Sequence, residues 1–186
     1  AMNFDFSEEQ KQLREQARRF LDERCSTRAA RARLEGAGPD PALWKAIAEL
    51  GWPGSAIPED YGGLGLSYVD LCVIAEELGR VVAPVPFSSA IYLAAEAILR
   101  AGDEAQKHAW LPQIASGEAV GTFALAEGPK VPTAANLTTR FEDGTVSGTK
   151  LPVLDAGEAD FAIVVARGAG REILLARVDL KGPGVA

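Results

Sequence analysis

The feature that most constrains this chain is a single change of hydrophobic period near residue 120. Before it, apolar residues recur every three or four positions, the spacing of one face of a helix. After it, they alternate or run in short blocks bounded by turn residues, as in strands. A chain that switches once, without alternating back, points to an α+β protein rather than to repeated strand–helix–strand units. The pattern predicts an N-terminal all-α helical domain over residues 1–118, then an antiparallel β-barrel-like domain over residues 119–186.

The helical part carries its own punctuation. Ser7 with Gln10 forms a capping box, and Glu8 and Glu9 suit the positive end of the helix dipole; Leu13, Ala17, Phe20 and Leu21 mark the inner face. Asp40-Pro41 opens a second helix with Leu43, Ile47 and Leu50 as its buried stripe, closed by Gly51. Ser67 with Asp70 opens a third, carrying Leu71, Ile74, Ala75 and Leu78, stopped at Gly79. Ser88 or Ser89 opens a fourth, with Ile91, Ala94, Ala95, Ile98 and Leu99 inward, and Asp103 with Gln106 caps a fifth that Pro112 should interrupt. Strands are expected over Val120–Ala126, Leu137–Phe141, Thr145–Ser147, Phe161–Ala166 and Ile173–Val178, with a hairpin turn at Asp143-Gly144. Lys181-Gly182-Pro183-Gly184-Val185 reads as a turn into a further strand. The β domain is therefore expected to be incomplete and the natural product longer. Ala1 ahead of Met2 reads as the remnant of a cleaved expression tag.

Composition removes several classes of function. A net charge of −7 argues against nucleic-acid binding, and the run Arg18, Arg19, Arg24, Arg28, Arg31, Arg33 is interleaved with acids, as on a solvated helix face. With one histidine, His108, neither a zinc site nor a Ser-His-Asp triad is expected. Cys25 and Cys72 fit no disulfide or metal pattern, and Cys72, in an apolar helical stretch, is expected to be a buried thiol. No apolar run approaches the roughly 20 residues of a membrane span, so a cytoplasmic protein is expected. Glu76 and Glu77 are adjacent and must point to different faces, which speaks against a catalytic carboxylate pair. Trp44, Trp52 and Trp110 read as packing residues. Ala94, Ala95 and Ala97 suit either close helix packing or the wall of an acyl tunnel.

Five phrases occur in order along the chain. They are Leu50-Gly51 with Ile57-Pro58-Glu59-Asp60-Tyr61-Gly62-Gly63-Leu64-Gly65; Glu76-Glu77-Leu78-Gly79; Gly102-Asp103-Glu104-Ala105-Gln106-Lys107; Ala115-Ser116-Gly117-Glu118; and Phe123-Ala124-Leu125-Ala126-Glu127. Together they resemble the N-terminal half of an acyl-CoA dehydrogenase. The resemblance implies a helical domain and part of the middle β domain, without the family's C-terminal helical bundle. It further implies FAD as cofactor, an acyl-CoA thioester as substrate, an electron-transfer partner and a homo- or hetero-oligomer with a homologous subunit. The implied reaction is α,β-dehydrogenation: a carboxylate takes the proton next to the thioester carbonyl, and a hydride passes to the flavin. That base comes from the C-terminal domain of the family, so no catalytic residue and no metal ligand is assigned in this chain.

Flavin contacts are implied at two places. In the phrase Phe/Tyr-x-Leu-Thr-Glu-Pro-x-x-Gly-Ser, this chain keeps Phe123, Leu125 and Glu127. Ala126 stands for the threonine, and the run from Gly128 to Pro132 replaces the Gly-Ser turn. In Lys-x-Trp-Ile-Thr-Asn-Gly it keeps Lys150 but has Pro152 for the tryptophan, Val153 for the isoleucine and Leu154 for the threonine. The residues carried over to cofactor binding are thus Phe123, Leu125, Ala126, Pro132, Pro152, Val153 and Leu154. Proline offers neither aromatic face nor amide donor, and leucine no hydrogen bond, so the flavin pocket reads as remodelled. Lys130 and Lys150 are open to reading as phosphate partners or as ordinary surface lysines. Three functions are weighed: a dehydrogenase subunit active alone, a subunit paired with an unlike homologue as in bacterial enzymes acting on steroid side chains, and a non-catalytic scaffold or acyl-CoA-binding homologue. An unrelated α+β interaction domain would require the ordered phrases to be coincidence.

Overall fold

The computed structural model describes residues 5–186, so the reading of Ala1 and Met2 lies outside the described residues. In chain order it contains α1 (Glu8–Arg24), α2 (Thr27–Leu34), α3 (Pro41–Glu49), 3₁₀ turns at Trp52–Gly54 and Glu59–Tyr61, and α4 (Tyr68–Arg80). A π-helix (Ser88–Ala95) follows and runs into α5 (Glu96–Ala101), then α6 (Glu104–Ala115). The strands are β1 (Gly121–Ala124), β2 (Arg140–Glu142), β3 (Thr145–Ser147), β4 (Phe161–Arg167) and β5 (Ile173–Asp179). The chain forms two compact units. One takes the chain up to Val85 with Ala115–Gly117, and the other takes Pro86–Ile114 with Glu118–Ala186.

In the first unit the caps form as the sequence dictates. Gln10 N donates to Ser7 Oγ at 3.2 Å while Ser7 N donates to Gln10 Oε1 at 3.0 Å, and Ser67 and Asp70 repeat the reciprocal pair at α4. Helices α1 and α4 pack together, with Ala17, Leu21, Val73 and Ile74 among the buried side chains. Each large buried side chain stabilises the unit by about 1.5–3 kcal/mol. Adjacent Glu76 and Glu77 do point apart. Glu76 reaches Arg14 at the surface, whereas the Glu77 side chain is 1% exposed and held at 2.7 Å by both Arg18 and Arg80. The Arg18 guanidinium, helped by Arg80, outweighs the cost of burial and holds the Glu77 carboxyl below its ordinary value. In the glycine loop, Gly62 takes φ +80°, and a Cβ on Gly63 would lie 1.9 Å from the Ile57 carbonyl oxygen. The loop's glycines thus serve chain reversal and close packing.

In the second unit β4 is the central strand. It is buried along Phe161–Ala166, pairs in parallel with β1 (Gly121 opposite Phe161) and antiparallel with β5 (Phe161 opposite Asp179). The β2–β3 hairpin turns at Asp143 (φ +49°) and Gly144 (φ +76°), as expected, and meets the end of β4 at Arg140 opposite Arg167. The five strands therefore make a mixed sheet, not the expected antiparallel one. The reason is the long stretch between Ala124 and Phe161, which returns the chain to the start of the sheet before β4 begins; parallel neighbours need such a crossover. The π-helix packs on β1, where a Cβ on Gly121 would fall 2.6 Å from the Phe161 ring and 2.7 Å from the Ala94 Cβ.

Other expectations give way to local geometry. Cys72 is exposed and Cys25 is the buried thiol, because Cys72 sits beside the apolar stripe of α4 and not in it. Leu50 caps α3 and is 46% exposed. The arginine run is divided between α1 and α2. Pro112 lies inside α6 without ending it, since proline removes one amide donor while its fixed φ stays compatible with a helix. The strand expected at Leu137–Phe141 is shorter and begins at Arg140; Leu137 and Thr139 are buried in the irregular stretch ahead of it.

Candidate functional site

The site grows from the end of β1. Beyond Ala124 the chain continues through Leu125, Ala126 and Glu127, and the stretch after Lys150 lies beside it. Leu151 N donates to the Ala126 carbonyl at 2.8 Å, Gly128 N donates to the Leu151 carbonyl at 2.7 Å, and Glu127 and Leu151 form a parallel bridge. Two sequence phrases separated by more than twenty residues thus become one short backbone platform.

Under that platform sits an ion pair. Lys150 Nζ lies 2.8 Å from Glu127 Oε1, with the side chains 8% and 13% exposed, and also donates to the Leu125 carbonyl. Glu127 accepts further bonds from Thr138 N (2.7 Å), Thr138 Oγ1 (2.6 Å) and Thr139 N (2.9 Å). Burial by itself would raise the Glu127 carboxyl, but the hydrogen bonds from Lys150, Thr138 and Thr139 override it and hold the group far below the usual carboxylate range. Lys150 is therefore an internal tie, whereas Lys130 stands exposed on the rim of a 260 Å³ cavity that Leu125, Pro132 and Thr138 also line.

The seven residues carried over to cofactor binding divide by exposure. Leu125 (39%) and Leu154 (50%) are exposed, as is Pro152, next to Leu151 (64%). Phe123, Ala126 and Pro132 are half-buried. Val153 turns inward and packs on Ala124, Ala162 and Val164. Leu125 and Pro132 line the same cavity, and the backbones of Ala126 and Leu151 are hydrogen-bonded, while Phe123 lies within β1. Sequence reasoning passed over Thr122 and Asp155 and read Ser88 or Ser89 only as a helix start; both serines instead lie inside the π-helix, which has no side-chain cap. Thr122, fully buried, donates from Oγ1 to the Leu154 carbonyl at 2.6 Å, and Ser89, also fully buried, donates from Oγ to Asp155 Oδ2 at 2.6 Å. The residue types alone gave no signal, since each bond joins positions far apart in sequence.

The chemistry of this donor set decides what the platform can hold. None of the seven side chains carries a hydrogen-bond donor, Pro132 and Pro152 lack an amide donor, the Thr138 hydroxyl is taken by Glu127, and Lys150 is held inward by Glu127 and the Leu125 carbonyl. Leu125, Pro152 and Leu154 fit apolar contact with a flat ring. They do not fit the polar grip that the edge of a flavin requires, and no reaction step is derived through a flavin from these residues.

The family model described as "Acyl-CoA dehydrogenase, N-terminal domain" matches residues 7–118, more than half of the chain. The (2S)-methylsuccinyl-CoA dehydrogenase of Cereibacter sphaeroides is 36% identical over 165 residues, covering 86% of this chain and 30% of that protein. Among solved structures, the ChsE4–ChsE5 complex from Mycobacterium tuberculosis matches with TM-score 0.83 and 26% identity, over 100% of this chain and 50% of the matched chain. A glutaryl-CoA dehydrogenase from Mycobacterium smegmatis in complex with FADH2 matches with TM-score 0.83 and 27% identity, over 96% and 47%. The chain thus spans half or less of the length of these relatives. A helical N-terminal part, a mixed sheet after it, the ordered phrases and the family match agree: this chain belongs to the acyl-CoA dehydrogenase family.

Proposed function

We propose that this protein is one subunit of a heteromeric, FAD-dependent acyl-CoA dehydrogenase, acting in α,β-dehydrogenation of an acyl-CoA thioester. A homologous partner subunit supplies the polar contacts to the flavin. One observation carries this reading: the backbone platform joining Ala126–Gly128 to Leu151 is intact, while the seven positions around it offer no side-chain donor. The heteromeric ChsE4–ChsE5 neighbour and the FADH2-bound glutaryl-CoA dehydrogenase support it by likeness. No catalytic base is assigned in this chain, and an electron-transfer partner is part of the same proposal. So is a domain division at 118/119, supported by the family match ending at residue 118. A cytoplasmic location is supported by two free thiols and, among the described residues, by no helix long and apolar enough to cross a membrane.

The test is coexpression of the protein, at the length its gene encodes, with a homologous subunit. Bound flavin absorbance found only in the co-purified pair, and bleached by an acyl-CoA, is the expected result. A yellow homo-oligomer with turnover removes the heteromeric form. The missing donors also favour a second reading, a non-catalytic scaffold or acyl-CoA-binding homologue. It predicts a complex that holds no flavin with any partner and passes no electrons from any acyl-CoA.

A further inference from the structure

A cavity of 410 Å³ opens within the second unit, with α5 and α6 on one side and β2, β4 and β5 on the other. It shares no lining residue with the cavity at Lys130. Most of its wall is apolar: Ala97 and Ala101 of α5 leave room that larger side chains would fill, and Phe141, Ile163 and Leu174 line it from the sheet. Arg177 of β5 breaks that wall. Its guanidinium carbon lies 4.4 Å from the centre of the Phe161 ring and 5.5 Å from that of Trp110, contacts that steady a cation without supplying it an oxygen. Phe161 is 1% exposed, so the exposed Arg177 rests its charge on the apolar interior. Although the chain has a net charge of −7, no carboxylate or carbonyl among the described residues accepts a hydrogen bond from Arg177. Gln106 of α6 lines the same cavity. Its Oε1 accepts from Asp103 N at 3.0 Å, which leaves the side-chain amide nitrogen as its free donor.

We propose that this cavity binds a straight-chain monocarboxylate of medium length, with its carboxylate on Arg177 and Gln106 and its chain along Ala97 and Ala101. Charge complementarity selects the head. A guanidinium presents its N–H groups as a fork that matches two carboxylate oxygens, and the Gln106 amide adds a donor without adding a second charge. One cation suits a monoanion, whereas a phosphate would call for more donors than this wall offers. The apolar wall selects the tail, and 410 Å³ lies within the range of small-molecule sites that combine an apolar lining with a few polar groups. Such a ligand differs from the thioester of the proposed reaction, whose carbonyl bears no charge, so its binding is separate from any flavin.

The experiment titrates octanoate into the protein, at the length its gene encodes, and reads the dissociation constant by calorimetry. Saturable binding is expected, tighter than that of butanoate by about fourfold for each methylene that the cavity buries. 1-Octanol, with the same chain and no charge, should bind about tenfold or more weakly than octanoate. Arg177→Met, which keeps an apolar stem and removes the cation, should weaken octanoate by about tenfold or more and leave octanol unchanged. Ala101→Leu narrows the cavity from the helix side at an exposed position, and should weaken both ligands while Arg177 stays in place. The melting temperature of each variant without ligand is the control for folding. Absence of octanoate binding to the native protein overturns the site. Equal affinity for octanol and octanoate, or octanoate binding that survives R177M, overturns the carboxylate as its ligand. Octanoate binding that survives A101L places the ligand elsewhere and overturns the cavity.

Discussion

A carboxyl group with 13% of its side chain exposed stays charged at modest cost only if its oxygen lone pairs are used, and Glu127 accepts four hydrogen bonds from three residues. Its folded-state pKa lies far below the ordinary 4.5, so its contribution to stability is complete above that value. As pH falls below 4.5 towards the depressed folded value, that contribution is lost. Glu127→Gln should therefore cost about 1.5–3 kcal/mol near neutrality, where the charge-assisted hydrogen bond from Lys150 is lost. Urea titrations should find a smaller difference from the native protein at pH 3 than at pH 7; an equal difference at both would refute the assignment. Residues of this kind show how far the site was legible. The Glu127–Lys150 ion pair joins two residues that each stand in a contiguous sequence phrase, so both were singled out in the sequence, though not as each other's partner. Thr138 and Thr139, which donate to Glu127, stand more than ten residues from it, as do the two ends of the Thr122–Leu154 and Ser89–Asp155 bonds from each other, and a threonine or a serine by itself carries no such instruction.

At the scale of elements, close approach and ion pairing make opposite demands on neighbouring parts of the chain. Gly121→Ala should destabilise the second unit by about 1–3 kcal/mol, since the added methyl meets the Phe161 ring and Ala94 at 2.6 and 2.7 Å. Gly79→Ala in α4, where an added Cβ meets nothing within 4 Å, should stabilise by about 0.5–1 kcal/mol. Denaturant melts of the two variants should move in opposite directions. Between α1 and α4, Arg18→Ala or Arg80→Ala alone leaves Glu77 one guanidinium, whereas the double variant leaves a buried carboxyl with none. The fall in Tm for the double variant should exceed the sum of the single falls. Helix starts were readable because Ser7, Asp40, Ser67 and Asp103 act within three residues, and the Asp143-Gly144 turn for the same reason. The parallel partnership of β1 with β4 was not readable, because strand alternation fixes which face is inward and says nothing about direction. Nor did helical spacing reveal that Ser88–Ala95 winds as a π-helix, since the same apolar residues are buried either way.

For the whole molecule, the second unit leaves strand edges unpaired among the described strands, β5 the longest of them. β5 pairs only with β4 among the described strands, and Ile173 and Leu175 are 45% and 39% exposed. Unpaired apolar edges associate, so this 186-residue chain by itself should form concentration-dependent oligomers in sedimentation velocity. Ile173→Lys should return it to monomers, and a native chain already monomeric at high concentration would contradict the expectation. The same two-part organisation separates the indoles. Trp52, edge-on to Phe20, and Trp44, donating to the Gly117 carbonyl, belong to the first unit; Trp110, facing Arg177, belongs to the second. Emission from a variant keeping only Trp110 therefore tracks the melting of the second unit, and emission from one lacking Trp110 tracks the first. The polypeptide carries its own pair of optical gauges, through which the cooperativity of its unfolding can be read without attaching a dye.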